Sequence, residues 1–234
     1  MLFPRVPEPS DLMGVCINTA GGITGGDRFA IQAKAGAGSR MTLTTQAAER
    51  IYRARGDEIG TLSTRLSAAA RARLDWLPQE TILYDRSALR RSLHIDIAGD
   101  AAFLAVEPLV FGRITMGERL RRIAFADNIR LFRAGELVFA DAIRLIGDAD
   151  TQLASPFAAD CAGASASVLY AAPDADLFLP RIRKLLPTTG GASLIRPGIL
   201  FARLLAPDSF LLRQSLIPAI EVLRGAPLPK TWRL

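Results

Sequence analysis

The segment from Phe29 to Thr45 reads FAIQAKAGAGSRMTLTT and contains the pattern from which the fold class can be predicted. Apolar and polar residues alternate along its first part, small residues follow at 36–38, and a second alternating run begins at Met41. A period of two predicts a strand with one buried face, and glycine and alanine at the join favour a tight turn. The segment therefore predicts a strand, a turn and a second strand.

The same arrangement occurs twice more, at 62–79 (LSTRLSAAARARLDWLPQ) and at 93–108 (LHIDIAGDAAFLAVEP). The first strands are offset by 33 and then 31 residues, and the second strands by 33 and then 29. The aligned residues are Phe29, Leu62 and Leu93 in the first strands, and Met41, Leu74 and Phe103 in the second strands. A repeat of about 30 residues indicates strand–turn–strand units that stack, because one unit alone cannot bury its apolar face.

Beyond the third repeat, a fourth strand pair fits 124–126 or 129–132, a turn at 133–136 and a strand at 137–140. In the C-terminal third, 192–196 and 200–205 are also predicted to be strands. The fold class expected from these patterns is mainly β: a layered or superhelical β-stack with two helices in the C-terminal third.

The first of these helices is expected to be capped by Asp174 and to end at Leu186, before Pro187. Its predicted apolar face consists of Leu177, Phe178, Ile182, Leu185 and Leu186. The second is expected to run from a cap at Asp208 to Arg224, with Gly225 just after its end.

Composition is that of a globular protein, with 50% hydrophobic and 22% charged residues among 234. No apolar run approaches the roughly 20 residues of a membrane span, and the N-terminus lacks the apolar core of a signal peptide. A cytoplasmic location is therefore expected. The net charge is +6, but the basic residues are scattered, and even the densest cluster, at 119–122, contains no aromatic residue. This pattern favours a solvated surface or an acidic protein partner over a nucleic acid.

Residues typical of phosphate-binding, metal-binding or catalytic sites are few in this sequence. Gly21 and Gly26 have the spacing of a P-loop, but Asp27 and Arg28 follow where lysine and a hydroxyl residue are needed, which disfavours phosphate binding. His94 is the one histidine in the sequence and is expected to face solvent; Cys16 and Cys161 are expected to be small core residues. These counts argue against a high-affinity nickel or zinc centre and against a serine triad. The spacing of the 23 acidic residues does not identify a catalytic pair, although such a pair stays open.

Four ordered segments and the C-terminus carry a resemblance to a known family. The segments are 21–28 (GGITGGDR), 44–53 (TTQAAERIYR), 74–82 (LDWLPQETI) and 107–118 (EPLVFGRITMGE), and the chain ends PLPKTWRL. In this order they are similar to the motifs of the urease accessory proteins of the UreD family, also called UreH. The matching positions are Gly21, Gly22, Gly25, Gly26, Asp27, Tyr52, Arg53, Trp76, Pro78, Gln79, Gly112, Arg113, Gly117 and Glu118.

The resemblance covers essentially the whole chain and implies a single UreD-like domain over 1–234. It implies a non-catalytic scaffold or chaperone that acts with UreF and the GTPase UreG on apo-urease and helps to deliver nickel, through an internal passage. It implies no nucleic acid or membrane as partner and no tightly bound cofactor, only nickel in transit. Family members usually carry further N-terminal strands, so we expect either a short natural form or a start assigned too far downstream.

A passage for nickel needs weak oxygen ligands at several places, because a tight site would retain the ion. Our hypothesis is that Asp27, Glu107 and Asp141 line or gate such a passage, with Glu49 and Glu80 as second choices. Two other readings stay open: a stand-alone β-solenoid that binds some other partner, and an enzyme with an unrecognised carboxylate site.

Overall fold

The computed structural model of the chain describes residues 1–5 and 11–233, which form two β-sheets and a layer of helices. Sheet A contains nine strands: β1 (Asp11–Cys16), β3 (Arg40–Thr45), β4 (Glu49–Ile51), β6 (Arg73–Leu77), β7 (Thr81–Leu83), β9 (Ala102–Phe111), β12 (Ala164–Ala171), β13 (Gly191–Arg196) and β14 (Ile199–Ala206). Sheet B contains five: β2 (Arg28–Ala35), β5 (Gly60–Ala68), β8 (Ala88–Ile97), β10 (Ile123–Arg133) and β11 (Glu136–Gly147). The helices are α1 (Ala149–Leu153), α2 (Ala175–Leu185) and α3 (Ser209–Arg224), with short 3-10 helices at Ile114–Met116 and Lys230–Arg233.

The predicted β-stack is confirmed as a β-solenoid of about four turns. Successive repeats pair in parallel, β2 with β5 and β8 in sheet B, and β3 with β6 and β9 in sheet A. Phe29 pairs with Leu62, as the 33-residue offset predicts. Leu62, however, pairs with Arg91 and not with Leu93. A shift of two residues leaves every side chain on its own face, so alternation alone cannot detect it.

The fourth pair is a hairpin. The alternatives at 124–126 and 129–132 belong to one strand, β10, and the chain then turns at 134–135 into β11. β11 runs antiparallel to β10 within sheet B and does not cross to sheet A. From this point the parallel stacking ends, and β12, β14 and β13 extend sheet A in antiparallel order.

The central strands of sheet A, β9 and β12, are buried on both faces. One face meets sheet B, and the other is covered by α2 and α3. Every residue of β12 is buried, which explains why its sequence, ASASVLYA, shows no alternation between apolar and charged residues and gave no strand signal.

The two long helices lie where they were predicted. Asp208 caps α3 by accepting a hydrogen bond from the Leu211 amide at 2.8 Å, and Gly225 follows with φ of 68°. At α2 the predicted side-chain cap is wrong, because the Asp174 carboxylate accepts instead from the hydroxyl of Tyr170 at 2.9 Å. Leu177 was placed on the apolar face but is 80% exposed.

Candidate functional site

A polar band crosses the interior between the two sheets. Along β8 the inward-facing Arg91 lies between Leu89 and Leu93, which belong to two different apolar clusters. On β9, Glu107 likewise separates Ala105 in one cluster from Leu109 in the other. The interior is therefore divided into two apolar cores with charged groups between them. Such a division is unusual, because burying charged groups costs free energy that one continuous apolar core would avoid.

Arg91 is the centre of this band. Its Nη1 lies 2.7 Å from Oε2 of Glu107 across the interior, and its Nε and Nη2 donate to the carboxylate of Asp127 at 3.0 and 2.6 Å. Glu107 also accepts a hydrogen bond of 2.7 Å from Nε1 of Trp76. The hydroxyl of Thr81 accepts a hydrogen bond of 3.0 Å from Nη1 of Arg91. The three charged side chains are at most 7% exposed, and together they carry two negative charges and one positive charge.

Burial and charge act in opposite directions on this cluster. Burial lowers the pKa of Arg91, but the carboxylates of Asp127 and Glu107 outweigh burial and raise it, so the guanidinium stays charged. Burial raises the pKa of Glu107; Arg91 opposes the rise and Asp127 adds to it. A buried carboxylate that is incompletely neutralised is a group to which a cation is attracted.

A cavity of about 450 Å³ lies on the N-terminal side of this cluster. Glu107, Arg91 and Trp76 line its inner end, and Glu49 and Cys16 are among the residues at its other end. The cavity lies between the two sheets, since both β2 in sheet B and β6 in sheet A contribute to its wall. It brings together two of the five predicted carboxylates, Glu49 and Glu107.

Glu49 is half-buried at this outer end and accepts hydrogen bonds from Nδ2 of Asn18 at 3.0 and 3.1 Å. Burial raises its pKa, although the Asn18 hydrogen bond opposes the rise. Cys16 is half-buried beside the same cavity, and burial raises the pKa of its thiol against the effect of the N-terminal ammonium group. Its thiol is thus mainly protonated at neutral pH and is a poor metal ligand. The second cysteine was wrongly predicted to be a core residue, because Cys161 is exposed.

Asp141 continues the band toward the C-terminal end of the stack. Arg203 on β14 donates to its carboxylate and also to the hydroxyl of Ser167, at 3.2 Å. Ser167 pairs in register with both Glu107 and Arg203, so these three residues form one cross-strand row on the inner face of sheet A. Glu49, Glu107 and Asp141 therefore follow the axis of the stack in sequence, although the cavity itself extends only as far as Glu107 and Arg91.

The structure places Asp27 elsewhere. Its carboxylate accepts from the Thr24 amide at 2.9 Å and closes the turn that leads into β2. The surrounding glycines allow close packing, since a Cβ on Gly22 would lie 2.3 Å from the ring of Tyr52. Gly26 has φ of 83°, in the left-handed region that favours glycine. This motif is a tight corner, and Asp27 does not line the cavity.

Glu80 is likewise outside the cavity. It is buried against Arg213 of α3, whose Nε and Nη2 lie 2.5 and 3.0 Å from its two carboxylate oxygens. The same arginine donates to Gln79 and, at 3.1 Å, to the carbonyl of Trp232. The Trp-Leu-Pro-Gln block and the C-terminal tryptophan are thereby joined through α3. The C-terminal segment PLPKTWRL ends at residue 234, which lies outside the described residues.

The remaining family positions form a corner of the surface. The rings of Tyr52 and Tyr84 meet edge to face at 5.2 Å, and the guanidinium of Arg113 lies 4.3 Å from the Tyr84 ring centre. Glu118 holds Arg113 through bonds of 3.0 and 3.1 Å, and that interaction lowers the pKa of Glu118. These contacts join the ends of three neighbouring turns of the stack and are structural in kind.

Sequence reasoning missed the basic partners of these acids, Arg91, Arg203 and Arg213, and also missed Asp127. Arg91 and Asp127 could have been found, because each occupies an inward position between two apolar neighbours on its strand. His94 faces outward, as predicted, with Nε2 2.8 Å from Asp96.

In the part of the chain that the structure describes, no three His, Cys, Asp or Glu side chains are close enough to form a ready metal site. None of the helices over 1–5 and 11–233 has the length and apolar character that a membrane crossing requires.

Comparison with known proteins agrees with the motifs. The profile described as UreD urease accessory protein matches residues 1–233. The chain is 53% identical to the urease accessory protein UreD of Ruegeria sp. (strain TM1040), with 100% of this chain and 81% of that protein covered. It is 51% identical to UreD of Ruegeria pomeroyi, and the match covers 100% of this chain and 90% of that protein. It is 48% identical to UreD of Roseobacter denitrificans, and the match covers 100% of this chain and 85% of that protein. The chain therefore belongs to the UreD family, and its role is that of a urease accessory protein.

Proposed function

We propose that the chain is a maturation scaffold that docks on apo-urease together with UreF and the GTPase UreG, and that nickel crosses it through the polar interior of the β-stack. The cavity bounded by Glu49 and Glu107 supports this proposal most directly. GTP hydrolysis belongs to UreG in this scheme, and the chain itself catalyses no reaction and holds nickel only in transit.

The ligands available along the band suit transfer and not storage. Carboxylate, hydroxyl and amide oxygens bind divalent cations more weakly than clustered imidazoles and thiolates do. Each of the three proposed passage carboxylates already has a partner: Asn18 donates a hydrogen bond to Glu49, Arg91 forms an ion pair with Glu107, and Arg203 donates to Asp141. An incoming cation would compete with these partners and would be released when they return, which keeps its residence short.

The geometry narrows our hypothesis about the residues. Glu49, Glu107 and Asp141 follow the axis of the stack, and we retain them as passage residues. Asp27 closes a turn and Glu80 is held by Arg213, so we propose structural roles for both.

A pair of tryptophan substitutions tests the passage. Thr64 is buried on β5 and lines the cavity, whereas Gln214 is exposed on α3, outside the cavity and away from sheet B. In a host with the cognate urease and accessory genes, Thr64→Trp should leave urease protein present but inactive, and Gln214→Trp should restore activity as the wild type does. Full activity with both, in complexes of normal composition, would overturn the passage. Activity in the complete absence of the chain would overturn the maturation role as well.

A further inference from the structure

The outward face of sheet B carries a regular set of exposed cations. They are Arg28 and Lys34 on β2, Arg65 on β5, Arg90 on β8, Arg130 on β10 and Arg144 on β11. We call these six residues the basic face. Asp96 lies within it, and Glu136 lies at its margin, so the face and its margin carry six positive and two negative charges, a net +4. The whole chain has a formal net charge of +6.

The strand register spaces these cations evenly. Arg28, Arg90 and Arg144 belong to one cross-strand row, in which Thr61 and Ala126 separate them. Neighbouring strands are about 4.8 Å apart, so the cations of that row are roughly 10 Å from one another. This spacing avoids like charges on directly paired positions, which would destabilise the sheet.

A second row repeats the pattern, with Arg65 and Arg130 on either side of His94. The row between the two contains only short neutral side chains, among them Ser63, Ser92 and Asn128. The face is consequently flat, and its guanidinium groups are the most prominent features on it.

Among the described residues, the basic face keeps a net positive charge. Over residues 1–5 and 11–233, none of the six cations forms a salt bridge with a carboxylate. Asp96 pairs with His94, whose ring also stacks on Phe132 at 4.8 Å. Two shallow depressions, of about 490 and 280 Å³, lie side by side on this face, and Arg65 and His94 border both.

We propose that the basic face docks an acidic surface of apo-urease. Five of its six cations are arginines, whose planar guanidinium groups can each pair with a carboxylate through two parallel hydrogen bonds. A nucleic acid fits less well, because the face has no row of aromatic rings on which bases could stack. The proposal depends on the proposed function only in taking urease as the partner, and it adds the surface and the chemistry of the contact.

The test compares two triple variants in the assembled accessory complex. Arg65→Glu, Arg90→Glu and Arg130→Glu reverse the face, and Arg181→Glu, Lys184→Glu and Arg196→Glu make the same change in net charge at exposed positions of α2 and β13. Binding to immobilised apo-urease is measured at low and at high salt, after thermal unfolding has shown both variants to be folded. We expect the first variant to bind about tenfold or more weakly at low salt and to lose the salt dependence of the wild type. The second should bind as the wild type does.

Wild-type binding by the first variant, or an equal loss in both variants, would overturn the basic face as the docking surface. Tighter binding of the wild-type complex to a DNA fragment than to apo-urease would overturn the choice of partner. These results can be distinguished from a failure of the passage proposal. The passage is tested by Thr64→Trp, a substitution in the interior that leaves the outer face of sheet B unchanged. A wild-type complex that does not bind apo-urease would overturn both proposals together.

Discussion

Nε1 of Trp76 donates a hydrogen bond of 2.7 Å to Oε1 of Glu107, and both groups are buried in the interior of the β-stack. The bond joins a tryptophan of one family motif to the first acid of another, from neighbouring strands of sheet A. Since the other oxygen of Glu107 faces Arg91, the carboxylate has a fixed position at the inner end of the cavity.

Replacing Glu107 by Gln should keep a similar shape but remove the negative charge to which we attribute the attraction of nickel. We expect urease activation to fall at least about tenfold, because loss of one well-placed charge–charge contact corresponds to more than 1.4 kcal/mol. Urease activity per urease protein is the measurement. Asp27→Asn is the matched control, since it alters a carboxylate in a turn outside the cavity, and it should retain activation. Equal activation by the two variants would contradict a passage at Glu107.

Replacing Arg91 by Leu should strongly destabilise the chain, because Glu107 and Asp127 would remain buried without their counter-charge. A loss of about 3–5 kcal/mol in the free energy of unfolding is expected. The triple variant Arg91→Met, Glu107→Gln, Asp127→Asn should recover much of that loss but not urease activation. Chemical denaturation and activation assays check the two parts separately. Normal activation by a folded triple variant would show that the charged cluster has only a structural role.

Nickel transfer should decline on mild acidification. Burial raises the pKa of both Glu49 and Glu107, so these groups gain protons at a higher pH than exposed glutamates do, and a protonated carboxyl is a poor cation ligand. Acidification has the opposite effect on the stability of the fold. The folded chain binds protons at these two carboxyl groups more tightly than the unfolded chain does, so their protonation does not lower the free energy of unfolding. Transfer in a purified system and thermal unfolding, both followed against pH, should therefore diverge. Glu49→Gln should flatten the pH dependence of transfer; an unchanged profile in that variant would exclude Glu49 as its source.

Gly22→Ala should destabilise the glycine corner. Its Cβ would lie 2.3 Å from the ring of Tyr52 and 2.6 Å from the carbonyl oxygen of Arg50, and relieving such overpacking costs about 1–3 kcal/mol. Gly36→Ala is the control, since a Cβ there has no atom within 4 Å among the described residues, and it should be neutral or slightly stabilising. The measurement is the midpoint of thermal unfolding of each variant. Equal midpoints for Gly22→Ala and Gly36→Ala would contradict the steric explanation.

The repeat could be predicted from the sequence because half-buried parallel strands preserve their alternation. The pairings of Phe29 with Leu62 and of Met41 with Leu74 follow from it directly. The pairing of Leu62 with Arg91 of β8 could not be predicted, since a shift of two residues preserves the alternation. β12 could not be predicted either, because a strand that is buried on both faces has no polar positions to mark its period.

The site was predictable only in part. Acids could be selected from the family motifs, but their partners lie on distant elements: Arg203 of β14 is 62 residues from Asp141, and Arg213 of α3 is 133 residues from Glu80. The basic face shows the same limitation. Its cations are scattered along the sequence, and the strand register alone gathers them on one surface.

Nickel incorporation in the presence of an external chelator distinguishes transfer through the interior of this chain from release of nickel into solution. Apo-urease is incubated with GTP and an accessory complex that has been preloaded with nickel and freed of unbound metal, with enough chelator to remove free nickel, and the nickel content of the recovered urease is then measured. If nickel crosses the interior of this chain, the wild-type complex will yield nickel-containing urease, and the complex with Thr64→Trp will yield apo-urease. Equal nickel in both, or none in either while chelator-free activation proceeds normally, would contradict an internal passage.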